Sequence, residues 1–295
     1  MKRHHIYECI NWSFIFISIG VLVHLMHSFS SSAMNVDDTN VFGGGIVVAG
    51  VITVYLVKML RLYIALSGTR IPFRRHVLLF FKTAPVSILL PFKLGDVYRM
   101  YCYGYYIRDY IRSAVTVLLD RFVDTLALLT VIAFVFFHHG DSSPLFLSLL
   151  ILFLVFLLTL YFAFPTFYAY WNKYLIESEA HRYTIVMLEC LASFKNVYQS
   201  IQSVIKGRFL TLYFLSLIAW LAELGCMSVV MIASGISLDT GMVIRYLESA
   251  LGIDIYSYQY IFAITSLVIT IGAAVILYLF NGVKGASNDE TVNNL

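Results

Sequence analysis

The strongest constraint on this chain is the recurrence of apolar stretches long enough to cross a lipid bilayer. A spanning helix needs about 20 mostly apolar residues. Residues 9–29 contain no Asp, Glu, Lys or Arg, and neither do residues 144–164. Comparable runs occupy 42–66, 110–137, 209–233 and 259–280. Charged residues make up 13% of the 295 residues, about half the roughly 25% of soluble domains. That is too little charge to coat a soluble globule. The net charge of +3 gives no reason to expect nucleic acid as a partner. The sequence therefore reads as an all-α, polytopic membrane bundle.

Each run has a local logic. Residues 9–29 follow Met1-Lys2-Arg3, as in a signal peptide, but the apolar run is too long and no clean small-x-small cleavage site follows, so it reads as the first helix. The second span, 42–66, carries Lys58 and Arg61 near its end. Pro144 suits the first turn of the span at 144–164. Between 165 and 208 lies the one long polar stretch. Within it Ile185, Leu188, Leu191, Phe194, Tyr198, Ile201 and Ile205 recur every three or four residues. This spacing predicts an amphipathic helix that lies on the membrane surface or packs under the bundle. One domain is expected over 1–283, followed by a disordered polar tail at 284–295.

Lysine and arginine placement sets the expected topology. The stretches 30–41, 138–143 and 234–258 contain a single basic residue, Arg245. The opposite side collects Lys2, Arg3, Arg70, Arg74, Arg75, Arg108, Lys173, Arg182, Lys195, Lys206, Arg208 and Lys284. Six full spans with both termini in the cytoplasm satisfy this pattern, provided that 76–106 enters and leaves on the cytoplasmic side. That segment would be a re-entrant hairpin or two short spans, in the cytoplasmic membrane.

Residues 81–125 carry the chemistry: FKTAPVSILLPFKLGDVYRMYCYGYYIRDYIRSAVTVLLDRFVDT. Pro85 and Pro91 each remove a helix hydrogen bond, and Gly95 adds backbone freedom. A break is expected between 85 and 95, with Asp96 as N-cap of a helix over 97–107. Discontinuous membrane helices can aim their N-termini at anionic groups. Lys93 and Arg99 would add positive charge there, and headgroup binding is expected at Lys93, Asp96, Arg99 and Arg121. Asp120, Arg121 and Asp124 share one apolar helix, and Glu223 stands within AWLAELGCM. A charge at the bilayer centre costs about 2.5–3.5 kcal/mol, so these groups must pair or face a polar cavity. Asp120 or Asp124 would hold Arg121. Arg121 or Arg99 would be the natural partner of Glu223, unless that carboxyl is protonated and bonded to backbone. A purely structural ion pair is the plainer alternative.

Several motifs are absent. No G-x-x-x-x-G-K-[ST], HExxH or GxSxG occurs. Cys9, Cys102, Cys190 and Cys226 form no CxxC pair and read as packing residues. No catalytic residue, metal site or cofactor is assigned, and the chain is not expected to be an enzyme.

The run LLPFKLGDVYRMY, followed by SAVTVLLDRFVDTLALL, resembles the flippase-like transmembrane domain shared by lysylphosphatidylglycerol synthase/flippase proteins and their small membrane relatives. KMLRLYIALSGTRIPFRR is similar to that family's basic segment, and AWLAELG to its later acidic position. The resemblance implies that Asp96, Arg99, Asp120 and Arg121 occupy the family's polar positions. It also implies movement of an anionic or zwitterionic lipid, or a lipid-linked glycan intermediate, between leaflets. There is one departure. The family's second break, P-G-G-x-G-x-x-E, is replaced by TGMVIRYLESALGIDIYSYQYIF, which has no proline. Two further readings therefore stand beside transport. One is a non-transporting scaffold for a membrane transferase. The other is a membrane-embedded enzyme using Asp96, Asp120 and Asp124. Neither the lipid nor the oligomeric state is legible in the residues.

Overall fold

Apolar runs in lipid must satisfy their backbone groups internally, and helices do this within a single segment. The computed structural model follows that rule. It describes residues 9–10, 12–21, 23, 41–69, 71–90, 94–139, 144–177, 182–233, 262–277 and 279. Among these the chain is helical, with no β-strand. The helices are α1 (Trp12–Val21), α2 (Val41–Ala65), α3 (Phe73–Leu89), α4 (Leu94–Ile107), α5 (Tyr110–His139), α6 (Pro144–Glu177), α7 (Arg182–Ile205), α8 (Phe209–Ala233) and α9 (Phe262–Leu277). Among the described residues, three stretches are both long and apolar enough to cross a membrane: Gly45–Ala65, Leu154–Glu177 and Phe209–Val229. Lys93, Pro91, the segment 234–258 and the tail 284–295 lie outside the described residues.

Helices α2, α5 and α8 form the centre. Val47 and Val51 of α2 pack with Ala127, Leu128 and Val131 of α5 and with Trp220, Cys226 and Met227 of α8. Gly50 lets α2 and α8 approach closely, since a Cβ there would collide with Cys226 Sγ. Cys102 and Cys226 are buried packing residues as expected, whereas Cys9 and Cys190 are exposed.

The broken element is a helical hairpin. Pro85 does not break it: α3 continues through that residue to Leu89. A proline costs a helix one hydrogen bond, and the packing of Leu79, Phe80, Ala84 and Val86 outweighs that loss. The helix stops because Pro91 follows Leu90. A residue before proline is pushed out of the helical region, and Leu90 is extended at φ −82°, ψ 124°. Helix α4 then begins at Leu94, three residues earlier than expected. Asp96 consequently lies in its first turn and is not an N-cap. Gly95 is needed for close approach, because a Cβ would run into the Ser87 backbone of α3. At 1.5 Å per residue, α3 and α4 are only about 25 and 21 Å long, shorter than the ~30 Å hydrocarbon core.

Helix α6 extends beyond the expected 144–164. It passes through Pro165 to Glu177. The amphipathic stretch forms α7, and its two halves differ. Val204 is buried with Leu119, Val123 and Leu212, with Ile201 and Ile205 packed alongside. Tyr183, Ile185, Val186 and Met187 are exposed.

Candidate functional site: a buried charge cluster beside a polar cavity

Where α2, α4, α5 and α8 converge, eight ionisable side chains meet. Arg61 of α2 is at the centre, with only 2% of its side chain exposed. Its Nε donates to Asp120 Oδ1 at 2.6 Å and its Nη2 to Asp120 Oδ2 at 2.9 Å, a bidentate grip. Its Nη1 donates to Asp124 Oδ1 and, at 2.7 Å, to Ser216 Oγ of α8. Asp120 and Asp124 both face Arg61 because four residues bring two side chains to one helix face. Trp220 Nε1 donates to the Asp124 carbonyl at 3.2 Å and ties α8 to the same turn of α5.

Arg121 points elsewhere. Its Nη2 is 3.0 Å from Asp96 Oδ1 and its Nη1 is 3.8 Å from Asp124 Oδ2. Arg99 reaches Asp96 at 3.6 Å, one turn along α4. Its Nε donates a long hydrogen bond of 3.4 Å to Thr83 Oγ1 of α3, and its guanidinium lies 5.5 Å from the Phe80 ring centre. Glu223 of α8 accepts from Lys58 Nζ of α2 at 2.9 Å. One chain of contacts thus runs Asp120–Arg61–Asp124–Arg121–Asp96–Arg99, with Lys58–Glu223 beside it.

Two expected pairings are corrected. Glu223 pairs with Lys58, not with Arg121 or Arg99, because α2 packs along α8 and presents Lys58 to it. Asp120 does not hold Arg121, since consecutive residues on a helix point about 100° apart. Asp120 belongs to Arg61, while Arg121 keeps Asp124, the other expected partner, at 3.8 Å and also reaches Asp96 on the hairpin. Asp96, Asp120 and Asp124 each turn toward a guanidinium. Among the described residues no group of three His, Cys, Asp or Glu could hold a metal ion.

Lys58 and Arg61 are the residues that sequence reasoning left outside the candidate site. A signal was present. Four carboxylates in or beside apolar spans (Asp96, Asp120, Asp124 and Glu223) had only Lys93, Arg99 and Arg121 to balance them. Buried charges need partners. Lys58 and Arg61 stand three apart within α2, inside a membrane-length apolar stretch.

Beside the cluster lies a polar cavity of about 160 Å³. Its wall includes Lys58, Arg61, Arg99 and Arg121, against one carboxylate, Asp120. Tyr55, Phe80 and Ser87 complete the polar and aromatic part of the lining. Two buried polar atoms on lining residues, Ser87 Oγ and Arg121 Nε, have no hydrogen-bond partner. Lys58 and Arg121 are the accessible cations, with 26% and 31% of their side chains exposed.

The profile of the family described as "Lysylphosphatidylglycerol synthase TM region" matches residues 12–286. The chain belongs to this family. The resemblance carried by the GDxxR and DR segments is thereby established over nearly the whole length, including the broken hairpin and the central helices. Membership makes the protein a helical membrane protein connected with lipid-related envelope biogenesis. No curated protein and no solved structure matches the chain.

Proposed function

We propose that the protein binds the phosphate of an anionic lipid or lipid-linked glycan in the cavity between α2, α3, α4 and α5, and carries it between leaflets. The observation behind this reading is the composition of the cavity wall: four cations against one carboxylate, in a pocket with two unused polar atoms. Preformed cationic donors in a low-dielectric setting favour an anion. Lys58 and Arg121 make first contact because they are the exposed ones. Arg99 lies deeper, and Arg61 keeps the wall in shape. Energy would come from a gradient or from consumption of the product, and no catalytic step is part of the reading. The topology is six spans plus a re-entrant α3–α4 hairpin, with both termini in the cytoplasm and the protein in the cytoplasmic membrane. The short lengths of α3 and α4 support the re-entrant form.

Leaflet-resolved movement of a fluorescent phosphatidylglycerol in proteoliposomes tests this. Arg121→Ala is expected to slow movement at least tenfold in protein that still elutes as a folded species. An unchanged rate overturns the role of the cavity.

A non-transporting scaffold for a membrane transferase is the second reading, and one observation favours it. The cluster is neutral by itself, with Lys58, Arg61, Arg99 and Arg121 opposite Asp96, Asp120, Asp124 and Glu223. Co-purification of a transferase, together with no lipid movement by the protein alone, would establish it.

A further inference from the structure

Arg121 also lines a second hollow. It has a volume of about 190 Å³, and its wall is Leu118, Phe122, Thr125 and Leu129 of α5 with Leu154 and Leu157 of α6, plus Arg121 itself. Apart from Thr125 and Arg121 the wall is hydrocarbon. Protein interiors are close-packed, and an apolar gap of this size forfeits contact energy along its lining. Here the gap exists because α6 packs on α7 and leaves α5 at a distance. The Leu154–Glu177 stretch buries none of its most apolar window within the protein, so this side of α6 is open.

Arg121 therefore belongs to both hollows, the polar one and the apolar one. Its Nη groups face Asp96 and Asp124, while its Nε has no hydrogen-bond partner. A molecule with a phosphate and a hydrocarbon chain matches this junction. A free anion leaves the groove empty, and a neutral apolar molecule makes no use of the cations.

We infer that the α5–α6 groove is the seat of one hydrocarbon chain of a phosphate-bearing lipid, with Arg121 as the residue that joins chain site to headgroup site. The inference rests on the headgroup reading above and adds where the tail lies. It assigns Leu118, Phe122, Leu129, Leu154 and Leu157 to tail contact. The groove then selects for a lipid over a water-soluble phosphate, and Arg121 selects for charge.

Photo-crosslinking of the whole protein in lipid nanodiscs tests this. The probes are phosphatidylglycerol and phosphatidylcholine, each with a diazirine in one acyl chain. Adducts are mapped by mass spectrometry at the groove and at Phe156 and Leu160, exposed positions of α6 that sample bulk lipid. The groove-to-control ratio is expected to be several-fold higher for phosphatidylglycerol. Arg121→Gln should bring it down to the phosphatidylcholine level. Leu157→Trp fills the groove without touching a charge, so it should lower the ratio if the Arg121 variant does not fold. Equal ratios for the two lipids in the unaltered protein overturn the groove site. The leaflet assay separates the two readings. Arg121-dependent movement with equal ratios removes the groove and leaves the headgroup cavity. A selective ratio without movement keeps the groove and removes transport.

Discussion

Arg61 and Arg121 are the same residue type, lie in one charge cluster, and both contact Asp124, yet their surroundings differ. Arg61 is sealed. Two carboxylates and a serine hydroxyl take up its donors, and 2% of the side chain is exposed. Arg121 is 31% exposed, has longer contacts to Asp96 and Asp124, and keeps an unpartnered Nε. A saturated cation in a dry setting has nothing left to offer a ligand. An under-saturated one at a cavity mouth does. The difference teaches that the cluster divides into a structural half around Arg61, and a responsive half made of Arg121, where α5 meets the hairpin, and Lys58 at the cavity.

The largest effect should come from the sealed half. Arg61→Met strands Asp120 and Asp124, and breaking a buried pair costs about 3–5 kcal/mol. Folded yield and thermal unfolding in detergent should both fall sharply. A normal unfolding temperature would mean that Arg61 is not structural. Lys58→Met is the next test. It removes a charge-assisted hydrogen bond from Glu223, worth about 1.5–3 kcal/mol. Adding Glu223→Gln should restore much of the loss, and a double-mutant cycle measures the coupling.

Gly95→Ala probes the hairpin that carries Asp96 to Arg121. Its methyl group meets the Ser87 backbone, and overpacking of this kind costs about 1–3 kcal/mol. Lipid movement should drop along with stability, because Ser87 lines the cavity. Smallest in stability is Arg121→Gln, expected at less than about 1 kcal/mol because a partly exposed pair contributes little. The same variant should show a large loss of lipid movement. Equal stability losses in the Arg61 and Arg121 variants would mean that the two halves do not differ.

Much of this architecture is legible in the residues. The apolar runs at 110–137 and 209–233 appear as α5 and α8 to within a few residues, because lipid leaves an apolar segment no alternative to a helix. The hairpin is legible too, though not its hinge. Pro85 and Pro91 carry equal weight in a sequence, but tertiary packing holds α3 together across the first and nothing rescues the backbone before the second. The far end of α6 is not legible for a similar reason: Pro165 is accommodated within a helix that continues. Glu223 was recognisable as a buried carboxylate with an unmet need, whereas its partner was not. Lys58 resembled a cation at the end of a span until α8 was placed against it.

The sequence by itself determined that this is a helical membrane protein of the lysylphosphatidylglycerol synthase TM region family, and that its few charges within apolar spans are concentrated in specific segments. Those properties are local: hydropathy, proline, and the cost of charge in lipid act on each segment alone. Tertiary structure alone decided which carboxylate meets which cation, that Arg61 is sealed while Arg121 borders two hollows, and that Lys58 belongs to the site. Pairing depends on which helix faces lie against each other. Residues as far apart as 58 and 223 share no local signal, and only packing brings them within 2.9 Å.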